Sequence, residues 1–169
     1  MASGSGSGSG SASDSGNKSL ETARRLLEEA ALPTEAEQLP SERGFYDAFV
    51  LRGIRVQAAH PGSLLCHYTV PSRLLNSGGF LHGGATASLV DLVASAVFCT
   101  AGLRTRGSPL EMNISYLDAA FSDEEIDIEA TVLHAGKSVG VAVVELKKKS
   151  GKIIAQARYS KYLGASSKL

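Results

Sequence analysis

The sequence predicts an α+β domain in which an antiparallel sheet wraps around one long buried helix. The first indication is a glycine-rich loop at residues 76–84, which is followed by an apolar run from Ala85 to Ala101. The second is a series of segments in which apolar and polar side chains alternate, with no helical pattern between the later ones. A period of two is typical of half-buried strands, and strands without intervening helices favour antiparallel pairing.

Length and charge exclude several classes of protein. The chain has 169 residues, a hydrophobic fraction of 43% and a formal net charge of +0, which suits one globular domain without nucleic acid as its main partner. The basic cluster Lys147–Lys149 precedes Ser150-Gly151 and is interpreted as a solvated hairpin turn. Because Asp91 interrupts the longest apolar run, no membrane span is predicted, and the N-terminus lacks the pattern of a signal or transit peptide.

The cysteines and histidines give no signal for a metal or redox site. Cys66 and Cys99 lie inside apolar runs, which favours a reducing compartment. A nucleophilic Cys99 is the alternative to a buried small hydrophobic residue, which is the far more common role. The four histidines lack metal-ligand spacing, so we expect neither a metal nor a cofactor.

Composition divides the chain into four parts. The Gly/Ser repeats at the N-terminus cannot bury enough apolar surface to offset the entropy of ordering. The predicted parts are a disordered tail (1–17), a helical extension (18–44), the α+β domain (45–164) and a flexible C-terminal tail (165–169). Helical spacing of apolar residues predicts a helix over Leu20–Leu32, with Ser19 as its N-cap and Pro33 at its end. A second short helix is predicted from Ser41 to Phe49.

The alternating segments predict a hairpin before the long helix and four further strands after it. The segments are 54–58, 64–70, 112–116, 126–132, 139–146 and 152–163. Pro61-Gly62 and Gly136-Lys137-Ser138 are turn sequences between neighbouring strands. The segment from Val139 to Leu146 is apolar on both faces, as expected of a central strand that is covered on both sides.

One thin polar stripe follows the otherwise apolar helix. Its members share one helix face because of their spacing, and they are Gly84, Ser88, Asp91 and Ser95. The serines can be small packing residues, whereas a buried ionised carboxylate is costly unless it is partnered. From the residues alone, two roles for Asp91 weigh equally, namely catalysis and a structural ion pair with an arginine such as Arg104 or Arg106.

The start of the helix is predicted to be an anion site. His82-Gly83-Gly84 leaves backbone N–H groups free at the positive end of the helix dipole, and glycine lets a ligand approach the backbone closely. Such a site binds a phosphate or stabilises the oxyanion of an attacked carbonyl. No Lys-Ser/Thr pair follows the glycines, so the loop is not a nucleotide P-loop.

The spacing along the helix predicts a dimer. Asp91 lies eight residues after Gly83, which corresponds to roughly 12 Å along the helix axis. The carboxylate therefore cannot easily serve a carbonyl bound at the start of its own helix. A second, antiparallel copy of the helix would bring its Asp91 opposite this Gly83, so we expect two sites across a dimer interface.

The loop and the helix occur together with motifs elsewhere in the chain. The motifs are Leu81-His82-Gly83-Gly84, Asn76 before it, Asp91 after it, Met112-Asn113-Ile114-Ser115-Tyr116, His134-Ala135-Gly136-Lys137-Ser138 and residues 152–158. This set resembles the hotdog-fold acyl-CoA thioesterases over residues 45–164, in particular the phenylacetate-type branch that includes thioesterase superfamily member 2. The resemblance implies a hotdog fold, in which the sheet wraps the central helix, and a homodimer that usually assembles into a homotetramer.

The resemblance also implies roles for the site residues. The backbone N–H of Gly83 polarises the thioester carbonyl, and Asp91 of the partner subunit acts as general base for water or as nucleophile. Asn76 and His82 position the water or the thioester. Coenzyme A is expected along the subunit surface, and the residues implied in its binding are Tyr116, Leu117, His134, Ala135, Gly136, Lys137, Ser138, Val139 and Tyr162.

One position departs from the family pattern. The family often places a Ser or Thr shortly before the methionine of the Met-Asn strand, as the hydroxyl that orients water. By ungapped count, Pro109 falls where that hydroxyl is expected. Ser108 can substitute for it if the loop shifts, so Ser108 is the candidate water-orienting residue.

The implied reaction is hydrolysis of a fatty or aromatic acyl-CoA to the free acid and CoA, with the acyl group left open. One alternative is a non-catalytic acyl-CoA-binding hotdog protein, which has no need of Asp91 or Asn76. The other is a hotdog acyl-CoA hydratase, which needs an Asp and a His paired across the substrate's α and β carbons. The sequence contains no matching hydratase motif.

The last three residues predict a location. Ser167-Lys168-Leu169 is the tripeptide that the peroxisomal import receptor reads at a C-terminus. A chance tripeptide on a frayed tail is the alternative. Because acyl-CoA substrates are abundant in that organelle, we expect the peroxisome, with the cytoplasm as second choice.

Overall fold

The computed structural model of the protein describes residues 10–31, 45–103 and 105–164. Its helices are α1 (Gly10–Leu27), α2 (Phe45–Leu51) and α3 (Gly83–Thr100). Its strands are β1 (Arg55–His60), β2 (Ser63–Thr69), β3 (Ser108–Tyr116), β4 (Glu125–Ala135), β5 (Val139–Lys148) and β6 (Ile153–Tyr162). Two single 3₁₀ turns lie at Glu29–Ala31 and Ser72–Leu74.

The strands form one six-stranded sheet in the order β1-β2-β4-β5-β6-β3, and every neighbouring pair is antiparallel. The predicted antiparallel α+β architecture is therefore confirmed. The turn at Pro61-Gly62 joins β1 to β2, and Gly62 has a φ of 76°, a conformation that glycine adopts without steric cost. The strand order leaves β1 and β3 as the two edges.

Helix α3 is the centre of the core. It packs against β2, β4, β5 and β6, and its fully buried side chains include Leu89, Val90, Val93, Val97 and Phe98. The helix is long and apolar enough to span a membrane by length and composition alone, but 61% of it is buried inside the fold. It is therefore a core helix. Because it is packed against the sheet, the residues of its polar stripe, from Gly84 to Ser95, have fixed positions relative to the strands.

The N-terminal helix begins earlier than predicted. Residues 10–17 were expected in the disordered tail, but α1 starts at Gly10. Ser19 lies inside this helix, is 4% exposed and donates a hydrogen bond to the carbonyl of Thr100 at 3.2 Å. The helix docks against β1 and α3 through its buried residues Ser19, Ala23 and Leu27, and this docking stabilises it, whereas Asp14, Ser15 and Asn17 near its start are exposed.

Three predicted segments lie outside the described residues. They are the N-terminal tail at 1–9, residues 32–44 with the whole linker between the two predicted helices, and the C-terminal tail at 165–169. The second predicted helix corresponds to α2, which begins at Phe45 in the described part of the chain.

Strand β5 is covered less completely than predicted. Its inward side chains, Ala142, Val144 and Leu146, are fully buried against the helix layer. On the outer face Val139 is 40% exposed, and the side chains that follow it on that face are only half-buried. The prediction of a central strand is correct, since β5 lies between β4 and β6. The prediction that both of its faces are covered is not, because the outer face has no covering layer within the described chain.

The lysine cluster after β5 is also only partly a turn. Lys147 and Lys148 are the last two residues of the strand, and their ammonium groups pair with carboxylates, whereas Lys149 begins the turn. The prediction of a solvated hairpin turn is correct for Lys149 and Ser150 alone.

Candidate active site

Asn76 organises the loop that precedes α3. Its side-chain Oδ1 accepts hydrogen bonds from the backbone N–H groups of Gly78 at 2.9 Å and Phe80 at 3.4 Å. Because two N–H donors point at the same side-chain atom, that atom is the amide oxygen and the other is the NH₂ group. The NH₂ group donates to no described residue, so it remains available for a ligand.

His82 is the N-cap of α3. Its ring Nδ1 accepts a hydrogen bond from the backbone N–H of Gly84 at 2.9 Å, while its own carbonyl accepts from the N–H of Thr86. An accepting Nδ1 fixes the neutral tautomer with hydrogen on Nε2. The predicted role of His82 in positioning water or thioester is therefore accompanied by a structural one that the sequence did not reveal.

The cap leaves the backbone N–H of Gly83 open at the helix start. The N–H of Gly84 is taken by His82, whereas those of Gly83 and of the buried Ala85 have no acceptor among the described residues. Gly83 is the first residue of α3, so its N–H lies at the positive end of the helix dipole. The predicted anion site therefore keeps an unpaired donor at Gly83.

A pocket of about 250 Å³ opens beside Gly83. Its lining is mostly apolar and consists of Phe80, Leu81, Gly83, Thr86, Tyr116, Asp118, Ala120 and Ile154. The hydroxyl of Tyr116 donates to the carbonyl of Gly83 at 3.2 Å, and this ring is 57% exposed. Tyr116, which is predicted in CoA binding, therefore contacts Gly83, and Leu117, the next residue in the same prediction, is 58% exposed.

Asp118, the one acidic residue that lines this pocket in the described part of the chain, forms ion pairs with two lysines. The Oδ2 atom of Asp118 lies 3.2 Å from Nζ of Lys148 and 3.0 Å from Nζ of Lys152. The ammonium group of Lys152, and then that of Lys148, lower the pKa of the Asp118 carboxyl below its ordinary value. Asp118 is consequently an ion-paired carboxylate rather than an acid available for proton transfer.

Asp91 is paired, but not with an arginine. Its Oδ1 accepts hydrogen bonds from the Tyr159 hydroxyl at 2.7 Å and from Nζ of Lys161 at 3.0 Å. The alternative of an arginine partner is wrong for Arg106, whose guanidinium pairs with Asp47 at 3.3 Å, and Arg104 lies outside the described residues. The Asp91 side chain is 39% exposed, so it remains accessible from the surface of one chain.

Tyr159 and Lys161 are site residues that sequence reasoning missed. Both lie on β6 at positions that alternate with exposed ones, and their exposures are 0% and 2%. Burial, and then the hydrogen bond to Asp91, raise the pKa of the Tyr159 phenol far above its ordinary value, so it is a donor throughout the physiological range. The available signal was a lysine in phase with Ala155 and Ala157 on the inward face of the last strand.

Ser108 does not join Asp91 in the same chain. Ser108 pairs with Tyr162, and Pro109 pairs with Lys161. Because directly opposite residues of an antiparallel pair share a face, Pro109 is on the side of Asp91 and Ser108 is on the outer side. Within one chain Ser108 therefore lies on the face opposite to Asp91, and its role as the water-orienting hydroxyl stays a prediction.

The remaining predicted CoA residues lie at the other end of the sheet. His134, Ala135, Lys137 and Ser138 are exposed around the β4–β5 turn, with Gly136 half-buried among them. Val139 and Tyr162 are opposite each other on β5 and β6, and each is 40% exposed. Tyr116, by contrast, pairs with Ala155 at the far end of β6.

One chain thus carries two separate half-sites. The first contains Asn76, His82, Gly83, Tyr116 and Leu117. The second contains Asp91, Tyr159 and Lys161, with the 134–139 turn and Tyr162 at the same end of the sheet. Since α3 is one uninterrupted helix, Gly83 and Asp91 remain about 12 Å apart along its axis.

Neither cysteine is a candidate nucleophile. Burial raises the pKa of the Cys66 thiol, and partial burial raises that of the Cys99 thiol, so both thiols are neutral and unreactive. Within the described ranges no three His, Cys, Asp or Glu side chains are grouped as metal ligands.

Comparison with known proteins agrees with this architecture. The sequence profile described as "Thioesterase superfamily" matches residues 78–155. The chain is similar to acyl-coenzyme A thioesterase 13 of Mus musculus, with 42% identity over 120 residues that cover 68% of this chain and 83% of the relative. The chain therefore belongs to the thioesterase superfamily, and the predicted resemblance is confirmed.

Two solved structures extend the likeness to the fold. Zebra fish thioesterase superfamily member 2 superposes with a TM-score of 0.74 at 34% identity, covering 86% of this chain and 98% of that one. The Mus musculus protein of the same name gives a TM-score of 0.69 at 34% identity, with 84% and 97% coverage. The sheet wrapped around α3 is accordingly a hotdog fold, as the resemblance implied.

Proposed function

We propose that this protein is an acyl-CoA thioesterase that hydrolyses fatty or aromatic acyl-CoA to the free acid and CoA. The observation that carries the proposal is the open N–H of Gly83 at the start of α3 in a chain that also presents an accessible carboxylate, Asp91. Thioester hydrolysis needs a donor for the oxyanion and a group that activates water. The 42% identity to a relative named acyl-coenzyme A thioesterase 13 supports the same substrate class.

In this reaction the thioester oxygen lies against the N–H of Gly83, with the free NH₂ group of Asn76 nearby. Asp91 of the partner subunit acts as general base for the attacking water or as nucleophile. The negative charge of the tetrahedral intermediate collects on the oxygen at Gly83, where the helix dipole stabilises it. The thiolate of CoA then leaves along the surface marked by Tyr116 and Leu117.

A panel of acyl-CoAs tests this function directly. Purified protein is mixed with short, medium and long straight-chain acyl-CoAs, with aromatic ones and with an enoyl-CoA. Free thiol is followed with a chromogenic reagent, the enoyl double bond by its absorbance, and binding by calorimetry. We expect thiol release from at least one class. Loss of an enoyl-CoA double bond without thiol release would replace the proposal with a hydratase, and tight binding with neither reaction would replace it with a binding protein.

We infer that the active unit is a homodimer paired through β3. This strand is an edge of the sheet, and its side chains are largely exposed, including Leu110 at 57%. Open edges are normally covered, because unpaired backbone groups invite another strand. Antiparallel pairing of two β3 strands about their middle brings the Tyr116 end of one subunit beside the Ser108 end of the other, and thus unites opposite half-sites.

Mixed dimers test the sharing of the site. Gly83→Pro and Asp91→Asn chains, each inactive alone, are co-expressed in equal amounts with different tags. Random pairing should restore about a quarter of wild-type activity, because half the dimers are mixed and each mixed dimer has one intact site of two. Mixed dimers that co-purify through both tags and remain inactive would contradict the shared site; differently tagged pairs of Asp91→Asn chains provide the control.

Assembly of two dimers into a homotetramer stays a prediction. The apolar side chains left on the outer face of the sheet, such as Leu133 at 54% exposure, support it. Sedimentation equilibrium of the full chain measures the mass, and a dimer at all concentrations would contradict it.

The peroxisomal location also stays a prediction, since Ser167-Lys168-Leu169 lies outside the described residues. A fluorescent protein is fused to the N-terminus, so that the tripeptide remains free for the import receptor. We expect peroxisomal fluorescence from the full chain and cytosolic fluorescence after deletion of the tripeptide. Peroxisomal import of the deleted chain would refute the assignment.

A further inference from the structure

A buried lysine stands behind the proposed catalytic carboxylate. The side chain of Lys161 is 3% exposed, and its ammonium donates to Oδ1 of Asp91 at 3.0 Å and to the hydroxyl of Ser95. The same ammonium lies 5.0 Å from the centre of the Tyr159 ring, within the range of a cation–π contact. Three different partners therefore converge on one charge inside the fold.

Burial of the Lys161 ammonium costs free energy, so its position needs a reason other than packing. A lysine is rarely buried, because removing an ammonium from water is unfavourable even when it is paired. Neighbouring inward positions of β6 hold Ala155 and Ala157, which pack against α3 without polar groups. The packing of the sheet on the helix thus does not by itself require a charged residue at position 161.

The charged and titratable surroundings of Asp91 are few. Among the described residues, the titratable groups that contact it are Tyr159 and Lys161, both from β6, and Ser95 adds a neutral hydroxyl from its own helix. Cys99 lies two turns further along α3, and burial raises the pKa of its thiol, so it adds no charge. The ammonium of Lys161 is consequently the one ion in contact with the carboxylate in the described part of the chain.

The two carboxylate oxygens of Asp91 differ in their hydrogen bonds. Those from Tyr159 and Lys161 end on Oδ1, together with a weaker one from Ser95 at 3.5 Å. No described residue donates to Oδ2. With Oδ1 fixed by two donors from a rigid strand, rotation of the carboxylate about its own axis is restrained, and Oδ2 has one defined direction.

We propose that Lys161 and Tyr159 are positioning residues that hold Oδ1 of Asp91 and present its Oδ2 to the thioester site of the partner subunit. The inference rests on the proposed thioesterase function, because it assigns to these residues the orientation of the group that activates water. Lys161 supplies a charge-assisted hydrogen bond to Oδ1, and Tyr159 supplies a neutral donor to the same atom, so that together they fix the plane of the carboxylate.

Two variants separate these contributions. Lys161→Met removes the charge and keeps an unbranched apolar stem, and Tyr159→Phe removes only the hydroxyl. We expect Lys161→Met to lower kcat by about 10- to 100-fold with little change in KM, because the carboxylate loses its orientation and the substrate contacts stay. Tyr159→Phe should lower kcat about tenfold, again with little change in KM.

The matched controls make the same chemical changes elsewhere. Tyr68→Phe removes a fully buried hydroxyl that donates to the carbonyl of Val50 at 2.6 Å, far along the chain from Asp91. Lys147→Met removes an ammonium paired with Glu129 and Glu145 at 2.7 Å. Both controls should keep the wild-type kcat and KM, and circular dichroism and thermal unfolding verify that each variant is folded.

The outcomes are separable. If the wild-type protein releases no thiol from any acyl-CoA, the proposed function fails. If the wild-type protein is active, and folded Lys161→Met and Tyr159→Phe keep its kcat, the positioning role fails alone. A loss of activity that comes from a raised KM with kcat unchanged would also overturn it, because that pattern indicates weaker substrate binding and not a misplaced carboxylate. If Lys161→Met does not fold, the nearly isosteric Tyr159→Phe decides the question by the same criteria.

Discussion

Asp91→Asn should reduce kcat for thioester hydrolysis by about 10²–10⁴-fold while the protein stays folded. An amide is neither a base nor a nucleophile under these conditions, so water or the thioester is no longer attacked. Its oxygen still accepts hydrogen bonds where Tyr159 and Lys161 donate to Oδ1. Steady-state thiol release measures the loss, and thermal unfolding checks the fold.

Asp91→Ala should be equally inactive but less stable. The alanine leaves the buried ammonium of Lys161 without its anionic partner, and breaking a buried ion pair costs about 3–5 kcal/mol. Because the carboxylate is half-exposed, we expect the lower end of that range. The alanine variant alone would thus confuse loss of chemistry with loss of stability, and the asparagine variant is the decisive one.

The matched control for Asp91 is Asp127→Asn. Asp127 is also partly buried and paired, with Nζ of Lys149 at 2.6 Å and with His67, but it lies on β4 away from both half-sites. This variant should keep wild-type kcat. Near-normal turnover in Asp91→Asn would refute the catalytic assignment of this carboxylate.

Gly83→Pro should lower kcat by about 10²–10³-fold, the usual effect of losing one oxyanion donor. Proline at the first position of a helix removes only an N–H that has no intrahelical acceptor. The residue before it, His82, has φ −62° and ψ 134°, the extended conformation that a residue preceding proline prefers. The fold can therefore accept the change, which deletes the proposed donor and little else.

Gly83→Ala is the control for added bulk. Its Cβ would meet the Tyr116 ring at 3.5 Å, which is an ordinary van der Waals contact, and its N–H would remain. We expect the alanine variant to keep far more activity than the proline variant, with circular dichroism unchanged for both. Equal activity of the proline variant and the wild type would exclude the Gly83 N–H as the oxyanion donor.

Several features could be predicted from the sequence because they depend on local patterns. The period-two segments predicted the strands, and the apolar run predicted α3 with its start at Gly83. This works because one face of a strand recurs every second residue, whereas one face of a helix recurs about every 3.6 residues. The separation of Gly83 from Asp91 along one helix is also fixed by the helix rise per residue, and the sharing of the site between two subunits stays a prediction. Composition failed for residues 10–17, which continue a helix whose docked part lies further along the chain, at Ser19, Ala23 and Leu27.

The partners of these residues could not be predicted in the same way. The sequence suggested an arginine for Asp91, and the structure supplies Lys161 and Tyr159, which are about 70 positions away. Their proximity depends on which face of β6 packs on α3, and strand register is decided by tertiary contacts. The same register places Pro109 rather than Ser108 on the inner face.

The sequence by itself determined the buried helix, its glycine start, its carboxylate and the thioesterase resemblance. Each of these depends on short local motifs, which can be recognised without knowing how the chain folds. Only the tertiary structure decided that His82 caps Gly84 and so leaves the Gly83 N–H open. Only the tertiary structure decided that Lys161 is buried against Asp91. Both results depend on side-chain directions and cross-strand register, which become defined when the sheet closes on the helix.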